Sequence, residues 1–157
     1  MEIERKFLID KFPEDLPLIE EAVVYQGYIS VNPIVRIRSK TGAKGVDYIL
    51  CFKGAGTIAR QETEIELDGD TFRELEKLLK APMIRKDYRV YELPDGLKLE
   101  CSLVDRDTPT GFMFAEVEFE TLEQAKAYQP PEFLDREVTE DRSYGMAAYW
   151  MRKLRQF

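Results

Sequence analysis

The first residues of the chain place charged side chains on one face and mostly apolar ones, Ile3, Arg5 and Phe7, on the other, a pattern that could bind ions. Glu2, Glu4 and Lys6 occupy every second position. A two-residue period is typical of a β-strand, because successive side chains leave opposite faces. Two carboxylates and one ammonium group on the same face suit a divalent cation beside an anionic ligand. A strand whose charged face is simply solvated shows the same pattern.

The chain contains no histidine. This excludes histidine general bases and histidine-ligated zinc. A bound metal would be held by oxygen atoms, which favours magnesium, manganese or calcium. A general base would have to be Glu, Asp, Lys, Tyr or a water molecule on the metal.

Composition and charge limit the classes of protein that the chain can belong to. Its 157 residues predict a single domain, residues 1–157. Charged residues make up 34% of the sequence, a high share that must lie on the surface or line a wet cavity. The formal net charge of −7 argues against a nucleic-acid partner. A local basic cluster could still bind a small anion.

The two cysteines and the absence of long apolar runs indicate where the protein works. Cys51 and Cys101 form no paired motif, which argues against a disulfide framework and favours a reducing cytoplasm. No apolar run approaches the roughly 18 residues needed to cross a bilayer. The amino terminus is charged from residue 2, so no signal peptide is expected. The sequence therefore predicts a cytoplasmic protein with no membrane partner.

Short runs with a two-residue period, separated by Gly and Pro turns, predict many β-strands and few helices. Helical spacing is expected near residues 70–80, 121–129 and 143–155. Asp68 or Asp70 could cap the first helix, Thr121 the second and Ser143 the third. Met146, Trp150 and Leu154 lie four apart, which predicts that the last helix packs an apolar stripe on the outside of the sheet.

Acids and bases gather on different predicted strands. The acids are Glu2, Glu4, Glu62, Glu64, Glu66, Glu116, Glu118 and Glu120, and the bases are Arg36, Arg38, Lys40, Lys53, Arg85 and Arg89. Like charges directly opposite each other destabilise a sheet. Neighbouring strands could therefore interleave acids with bases, or the acids could bind cations while the bases bind a polyanion. A closed barrel would bring these faces into one lumen, whereas an ordinary sandwich would leave them solvated.

Over nearly its whole length the chain resembles the CYTH family, the triphosphate tunnel metalloenzymes. The matching motifs, in family order, are Glu2-x-Glu4-x-Lys6, Arg36-x-Arg38, Lys53, Arg60-x-Glu62-x-Glu64, Arg89, Glu100, Ala115-Glu116-Val117-Glu118 and Glu137-Val138-Thr139 with Asp141 and Tyr144. The resemblance implies a mainly β (α+β) fold. This is an eight-stranded antiparallel closed barrel with a charged lumen and a few helices packed on its outside.

Three positions depart from the family pattern. Asp87 stands where a second basic residue is common, so Lys86 or Arg85 would have to supply that charge. Ser102 replaces the usual Asp after Glu100, which leaves open whether one or two metals bind. Ser143 replaces a common basic residue, and Arg142 is the expected substitute.

The resemblance also implies roles for individual residues. The metal, Mg²⁺ or Mn²⁺, is expected to bind the carboxylates of Glu2, Glu4, Glu62, Glu64, Glu100, Glu116 and Glu118. The triphosphate is expected to bind Lys6, Arg36, Arg38, Lys53, Arg60, Arg85, Arg89 and Arg142, because Arg forks and Lys point charges suit phosphate oxygens. Glu2, Glu4 and Lys6 are the expected catalytic residues.

The family includes inorganic triphosphatases, thiamine triphosphatases and class IV adenylyl cyclases. We therefore expect a divalent-metal-dependent hydrolase of a small-molecule triphosphate, with inorganic tripolyphosphate as the leading substrate over thiamine and nucleoside triphosphates. A class IV-type adenylate cyclase, a thiamine triphosphatase and a non-catalytic binder of polyphosphate or nucleotide are the alternatives. The sequence leaves open whether the protein is a homodimer.

Overall fold

The computed structural model describes residues 1–134 and 136–156, which form an antiparallel sheet with three short α-helices. The strands are β1 (Glu2–Leu8), β2 (Leu18–Val31), β3 (Ile34–Gly42), β4 (Gly45–Lys53), β5 (Ala59–Arg60), β6 (Glu62–Leu67), β7 (Ile84–Glu92), β8 (Lys98–Val104), β9 (Phe112–Glu118) and β10 (Arg136–Glu137). The helices are α1 (Gly69–Glu76), α2 (Leu122–Ala127) and α3 (Met146–Leu154), with a 3-10 turn at Arg142–Tyr144 before α3.

The sheet curls into a nearly closed barrel, as predicted. Its strand order is β10-β1-β9-β8-β7-β2-β3-β4-β6, and β5 pairs with β1. Only Gln61 separates β5 from β6, so this segment joins β4 on one side and β1 on the other. The predicted eight strands counted β5 and β6 as one. The short β10 falls where the sequence shows the Glu137-Val138-Thr139 motif.

The strand register places the charged residues on the inner face. Glu4 lies opposite Glu118, and Lys6 lies opposite Glu116. Glu116 is in turn opposite Glu100 on the next strand. A side-chain period of two then keeps this whole set on one face of the sheet.

The apolar residues of β1, β8 and β9 point outward and need cover. Ile3, Phe7, Leu99 and Val117 are buried there in one core with Ala125 of α2. The outer face is covered further by partly buried residues from the segment after β1 and from the β4–β5 loop. Burial of these side chains supplies most of the stabilisation of this wall.

Two of the three predicted helix caps are confirmed. Asp68 accepts a hydrogen bond from Thr71 N at 2.7 Å and caps α1, and Thr121 accepts one from Gln124 N at 3.1 Å and caps α2. The prediction for Ser143 is wrong. Gly145 precedes α3 without a side-chain cap, and Ser143 lies inside the 3-10 turn, where it donates to Asp141.

The position of α3 also differs from the prediction. Its buried face packs against apolar residues on the inner side of the barrel, not against the exterior. This second core contains Tyr28, Ile84, Val104, Phe114, Met146, Tyr149 and Trp150. Tyr28 lies opposite Arg36 and Phe114 opposite Leu8, and both rings line the lumen. The helix therefore closes one end of the lumen. Helical spacing fixes which residues share a face, but it does not determine which surface that face meets.

Among the helices in the described part of the chain, none combines the length and apolar character needed to cross a bilayer.

Candidate active site

A cavity of about 790 Å³ fills the lumen and gathers most of the predicted site residues. Thirteen of the fifteen predicted positions line it: Glu2, Glu4, Lys6, Arg36, Arg38, Lys53, Arg60, Glu62, Glu64, Glu100, Glu116, Glu118 and Arg142. They come from eight different segments of the chain, which only the closure of the barrel could bring together. Their roles in binding or catalysis remain predictions.

Arg85 and Arg89 do not line the cavity, so the structure places them outside the lumen in which they were predicted. Arg85 Nη2 lies 3.2 Å from Asp87 Oδ1, and Arg89 Nε donates to Glu21 Oε2 at 2.8 Å on the outer side. The inward positions of β7 are instead Lys86 and Tyr88. Because β7 carries charged residues on both faces, its alternation did not identify the inner one.

An acidic group forms on β1, β8 and β9. Glu4 and Glu116 are hydrogen-bonded to each other through their carboxyl groups. Burial, followed by the charge of Glu116, raises the pKa of Glu4 well above its ordinary value. Burial also raises the pKa of Glu100 to about 7, with a further contribution from Glu116. The pKa of Glu118 is raised for the same reason, with Glu2 as the nearest acidic contributor.

The opposite behaviour of Glu116 follows from its neighbours. Its burial acts to raise the pKa, but the hydrogen bond from Glu4 and the charges of Lys6 and Lys86 outweigh burial and lower it. The two carboxyl groups of the pair therefore shift in opposite directions, with Glu4 the weaker acid. Such a difference is expected where two buried acids lie close together.

Glu2 belongs to a different group, in which acids and bases neutralise each other. Lys53 Nζ donates to Glu2 Oε1 at 3.1 Å, and Arg60 Nε donates to the same oxygen at 3.3 Å. Burial acts against ionisation, yet Lys53, Glu62 and Arg60 lower the pKa of Glu2 to about 2. Glu62 lies 3.4 Å from Lys53 Nζ and completes the group.

Basic side chains of β3 and β7 form a second group in the lumen, the basic group. Arg36 is only 8% exposed, and among the described residues the buried Nε atoms of Arg36 and Arg38 have no hydrogen-bond partner. A buried donor without a partner is costly, so these guanidinium groups are poised for an anion. Burial, with the charge of Arg36 as the next cause, lowers the pKa of Lys86 to about 7.

Sequence reasoning missed two lumen residues and weighed a third only as a substitute. Tyr88 donates a short hydrogen bond to Glu100 Oε1, and Tyr28 lies beside Arg36 at the closed end. Tyr28 shares a face with the polar Gln26, a weak signal, and the charged residues on both faces of β7 concealed the inner position of Tyr88. Lys86 was the alternative to Arg85.

One compact set of possible metal ligands occurs in the described part of the chain. Cys51 Sγ and carboxylate oxygens of Glu62 and Glu64 lie within 4.8 Å of one another. Arg36 lies directly opposite Cys51 on β3, and Lys53 pairs with Glu62. These cations disfavour a metal at this position. A second set of carboxylates surrounds the Glu4–Glu116 pair, with Glu118 opposite Glu4 and Glu100 opposite Glu116.

No family model matches the chain. A protein of known function is similar along most of the chain. The chain is 33% identical over 143 residues to an inorganic triphosphatase of Nitrosomonas europaea, and the match covers 91% of this chain and 92% of that protein.

Solved structures with the same architecture extend the comparison. The crystal structure of an inorganic triphosphatase is similar with a TM-score of 0.67 and 31% identity, covering 96% of this chain and 95% of that one. A Hippeastrum protein named as an adenylyl cyclase, whose structure is said to reveal a dominant triphosphatase activity, has a TM-score of 0.56 at 17% identity. It covers 80% of this chain and 83% of its own. At that identity the likeness concerns the fold alone.

Proposed function

This chain belongs to the family of the inorganic triphosphatase of Nitrosomonas europaea, and from that premise we propose that it hydrolyses inorganic tripolyphosphate to pyrophosphate and orthophosphate. The observation that carries the proposal is the pair of guanidinium groups of Arg36 and Arg38, whose buried Nε atoms have no partner among the described residues and which share one lumen with an acidic group. The motifs that resemble the CYTH family further support a place among its triphosphate tunnel proteins.

The basic group provides the binding energy for a polyphosphate. Arg36 and Arg38 can each form two parallel hydrogen bonds to phosphoryl oxygens, whereas Lys6, Lys53 and Lys86 act as point charges. In the ligand-free lumen Lys53 is held by Glu2 and Glu62. An entering polyanion competes with these acids for the lysine. Such contacts position the substrate without requiring any rearrangement of the strands.

The acidic group fits a divalent cation, which we propose to be Mg²⁺ or Mn²⁺. Burial and neighbouring acids raise the pKa of Glu4 well above its ordinary value and that of Glu100 to about 7. Carboxylates in such a state gain from a cation that replaces the proton, and oxygen ligands suit these two metals. Glu4, Glu100, Glu116 and Glu118 would hold it. When bound, the ion supplies positive charge that stabilises the phosphoryl oxygens during transfer.

Hydrolysis breaks one P–O bond to a bridging oxygen and forms one to a water oxygen. Phosphoryl transfer requires mainly positioning and charge stabilisation, which the basic group provides. The attacking water must also lose a proton. Carboxylates that line the cavity outside the proposed ligand set, such as Glu64, can accept it.

A substrate panel tests the proposal. The purified chain is incubated with Mg²⁺ or Mn²⁺ and tripolyphosphate, thiamine triphosphate, ATP or GTP, and orthophosphate, pyrophosphate and cyclic AMP are measured. We expect fastest orthophosphate release from tripolyphosphate. Cyclic AMP with pyrophosphate from ATP would instead indicate a cyclase, fastest turnover of thiamine triphosphate a thiamine triphosphatase, and tight binding without turnover a non-catalytic module.

The matched variants are Glu4→Gln and Glu123→Gln. Glu123 is an exposed acid on α2, outside the lumen. We expect Glu4→Gln to lose turnover while retaining the wild-type circular dichroism spectrum, and Glu123→Gln to keep full activity. A wild-type turnover rate in folded Glu4→Gln would show that Glu4 does not contribute to the site.

A further inference from the structure

Tyr88 connects the inner wall of the barrel to one carboxylate of the acidic group. Its side chain lines the cavity from β7, and its hydroxyl donates a hydrogen bond of 2.5 Å to Glu100 Oε1. Within the described part of the chain, Tyr88 is the one hydrogen-bond donor to this carboxylate. One oxygen of Glu100 is therefore engaged, and the other is left for a ligand.

The ring of Tyr88 is held from three sides. Ala22 on β2 and Ser102 on β8 lie directly opposite Tyr88, and both are buried. Lys40 Nζ lies 5.0 Å from the centre of the ring and is itself paired with Glu20. A cation over the face of an aromatic ring is attracted to it. The hydroxyl of Tyr88 is thus kept in place beside Glu100.

Glu100 is the only acidic residue of β8, which spans Lys98–Val104. Ser102 shares its face two positions further along the strand but offers an uncharged hydroxyl. A cation held by the acidic group therefore receives negative charge from β8 through Glu100 alone. The way in which Tyr88 orients this carboxylate decides what β8 offers to the cation.

Divalent cations differ in how they use a carboxylate. Mg²⁺ requires nearly octahedral coordination, and Mn²⁺ shares this preference. Ca²⁺ accepts roughly six to eight oxygens at longer distances and often binds both oxygens of one carboxylate. A carboxylate that keeps one oxygen on a tyrosine hydroxyl can give only the other. Such a ligand suits the octahedral ions and withholds the additional oxygen that Ca²⁺ would gain.

We propose, building on the proposed function, that Tyr88 is a positioning residue that restricts Glu100 to a single ligand oxygen and thereby makes the acidic group favour Mg²⁺ or Mn²⁺ over Ca²⁺. Removal of the hydroxyl frees Glu100 to turn and to offer both oxygens. The octahedral ions then lose an oriented ligand, which typically costs about 10- to 100-fold in affinity. For Ca²⁺ the second oxygen compensates this loss.

The test measures metal binding without substrate. Mn²⁺ affinity is obtained at pH 8 from the electron paramagnetic resonance signal of the free ion, and Ca²⁺ affinity from its competition with Mn²⁺. Tyr88→Phe removes the hydroxyl and keeps the ring that contacts Lys40. The matched control is Tyr25→Phe, at an exposed tyrosine of β2 outside the cavity. We expect Mn²⁺ affinity to fall about 10-fold in Tyr88→Phe and the ratio of Ca²⁺ to Mn²⁺ affinity to rise several-fold, with both unchanged in the control.

The ratio of the two affinities separates positioning from general damage. A loosened barrel would weaken the binding of both ions by a similar factor and leave the ratio unchanged. A second comparison uses Glu100→Gln. If Tyr88 acts through Glu100, adding Tyr88→Phe to this variant should change the ratio no further. Circular dichroism and thermal unfolding check that each variant is folded.

Each of the other outcomes would contradict the proposal. An unchanged ratio in folded Tyr88→Phe would overturn it, as would equal affinities of the wild type for Ca²⁺ and Mn²⁺. A rise in the ratio that persists in the Glu100→Gln background would show that Tyr88 does not act through Glu100. A wild type that binds no Mn²⁺ at millimolar concentration would overturn the cation site itself. These measurements use no polyphosphate, so failure to hydrolyse tripolyphosphate refutes the proposed function separately.

Discussion

Lys53 Nζ lies 3.1 Å from Glu2 Oε1 and 3.4 Å from Glu62 Oε2, so a lysine assigned to phosphate neutralises two acids assigned to metal. Charged groups that the family resemblance assigns to different ions therefore bind each other. A polyanion that draws Lys53 away leaves Glu2 and Glu62 uncompensated, and a cation bound elsewhere in the same lumen offsets their charge. Metal and polyphosphate should consequently favour each other's binding.

This coupling can be measured directly. We expect Mg²⁺ to bind more tightly in the presence of pyrophosphate, and pyrophosphate to bind more tightly by the same factor in the presence of Mg²⁺, because linkage is reciprocal. Isothermal titration calorimetry measures both affinities after correction for the Mg²⁺–pyrophosphate complex in solution. In Lys53→Met the coupling factor should fall. An equal factor in wild type and variant would show that the Lys53–Glu2 pair does not carry it.

The arginines of the inner and outer faces should differ in their contribution to catalysis. Arg38→Met is expected to lower kcat/KM for tripolyphosphate by about 10- to 100-fold, the loss of one charged hydrogen-bonding group. Arg89→Met should leave kcat/KM unchanged, since Arg89 pairs with Glu21 outside the lumen. Steady-state phosphate release measures both. A large loss of kcat/KM in folded Arg89→Met would show that Arg89 contributes to the site.

Substrate binding should take up a proton at Lys86. Burial lowers its pKa from 10.5 to about 7 in the free protein, so above that pH the amine is mostly neutral. A bound polyanion favours the charged form and raises the pKa again. In metal-free titrations at pH 8, binding heats should therefore depend on the ionisation enthalpy of the buffer. At pH 6 the effect should vanish. Lys86→Met should abolish it, while Lys98→Met, a change at an exposed lysine of β8, should not.

Glu100 should make the metal-free protein less stable as the pH rises. Its pKa is raised from 4.5 to about 7 in the folded state, so the folded protein binds the proton more tightly than the unfolded chain. The resulting stabilisation is present at low pH and is lost as the pH rises from about 4.5 to 7. Between pH 5 and 8 in EDTA, wild type should lose on the order of 1–3 kcal/mol relative to Glu100→Gln. Urea unfolding measures this difference, with Glu92→Gln as an exposed control. Parallel pH profiles would contradict it.

The resemblance to the CYTH family predicted the barrel, and the alternation, which is clear on most strands, predicted most of the residues of its lumen. On β1 and β9 one face is charged and the other is mostly apolar, so Glu4, Lys6 and Glu116 could be placed without coordinates. On β7 the residues Arg85 and Lys86 are adjacent, and a shift of one position reverses every side chain. The inner face of that strand is defined by its neighbours in the sheet, which the local sequence does not contain.

The placement of α3 shows a second limit. A stripe of Met146 and Trp150 predicts a buried helix face, but the partner surface is set by residues far away in sequence, such as Tyr28 and Phe114. The shielding of Lys86 likewise arises from Arg36 on another strand. The period of a segment predicts which of its residues share a face, whereas contacts between segments depend on how the sheet curls.

The narrow contact between β5 and β1, which consists of Glu2 with Arg60 and Ile3 with Ala59, has a dynamic consequence. So short a seam can separate at a cost well below that of global unfolding. Deuterium should therefore enter the backbone amides of this seam sooner than those of β2, which is paired along most of its length on both sides. Because α3 closes one end of the lumen, transient opening of this seam would give pyrophosphate a second exit route.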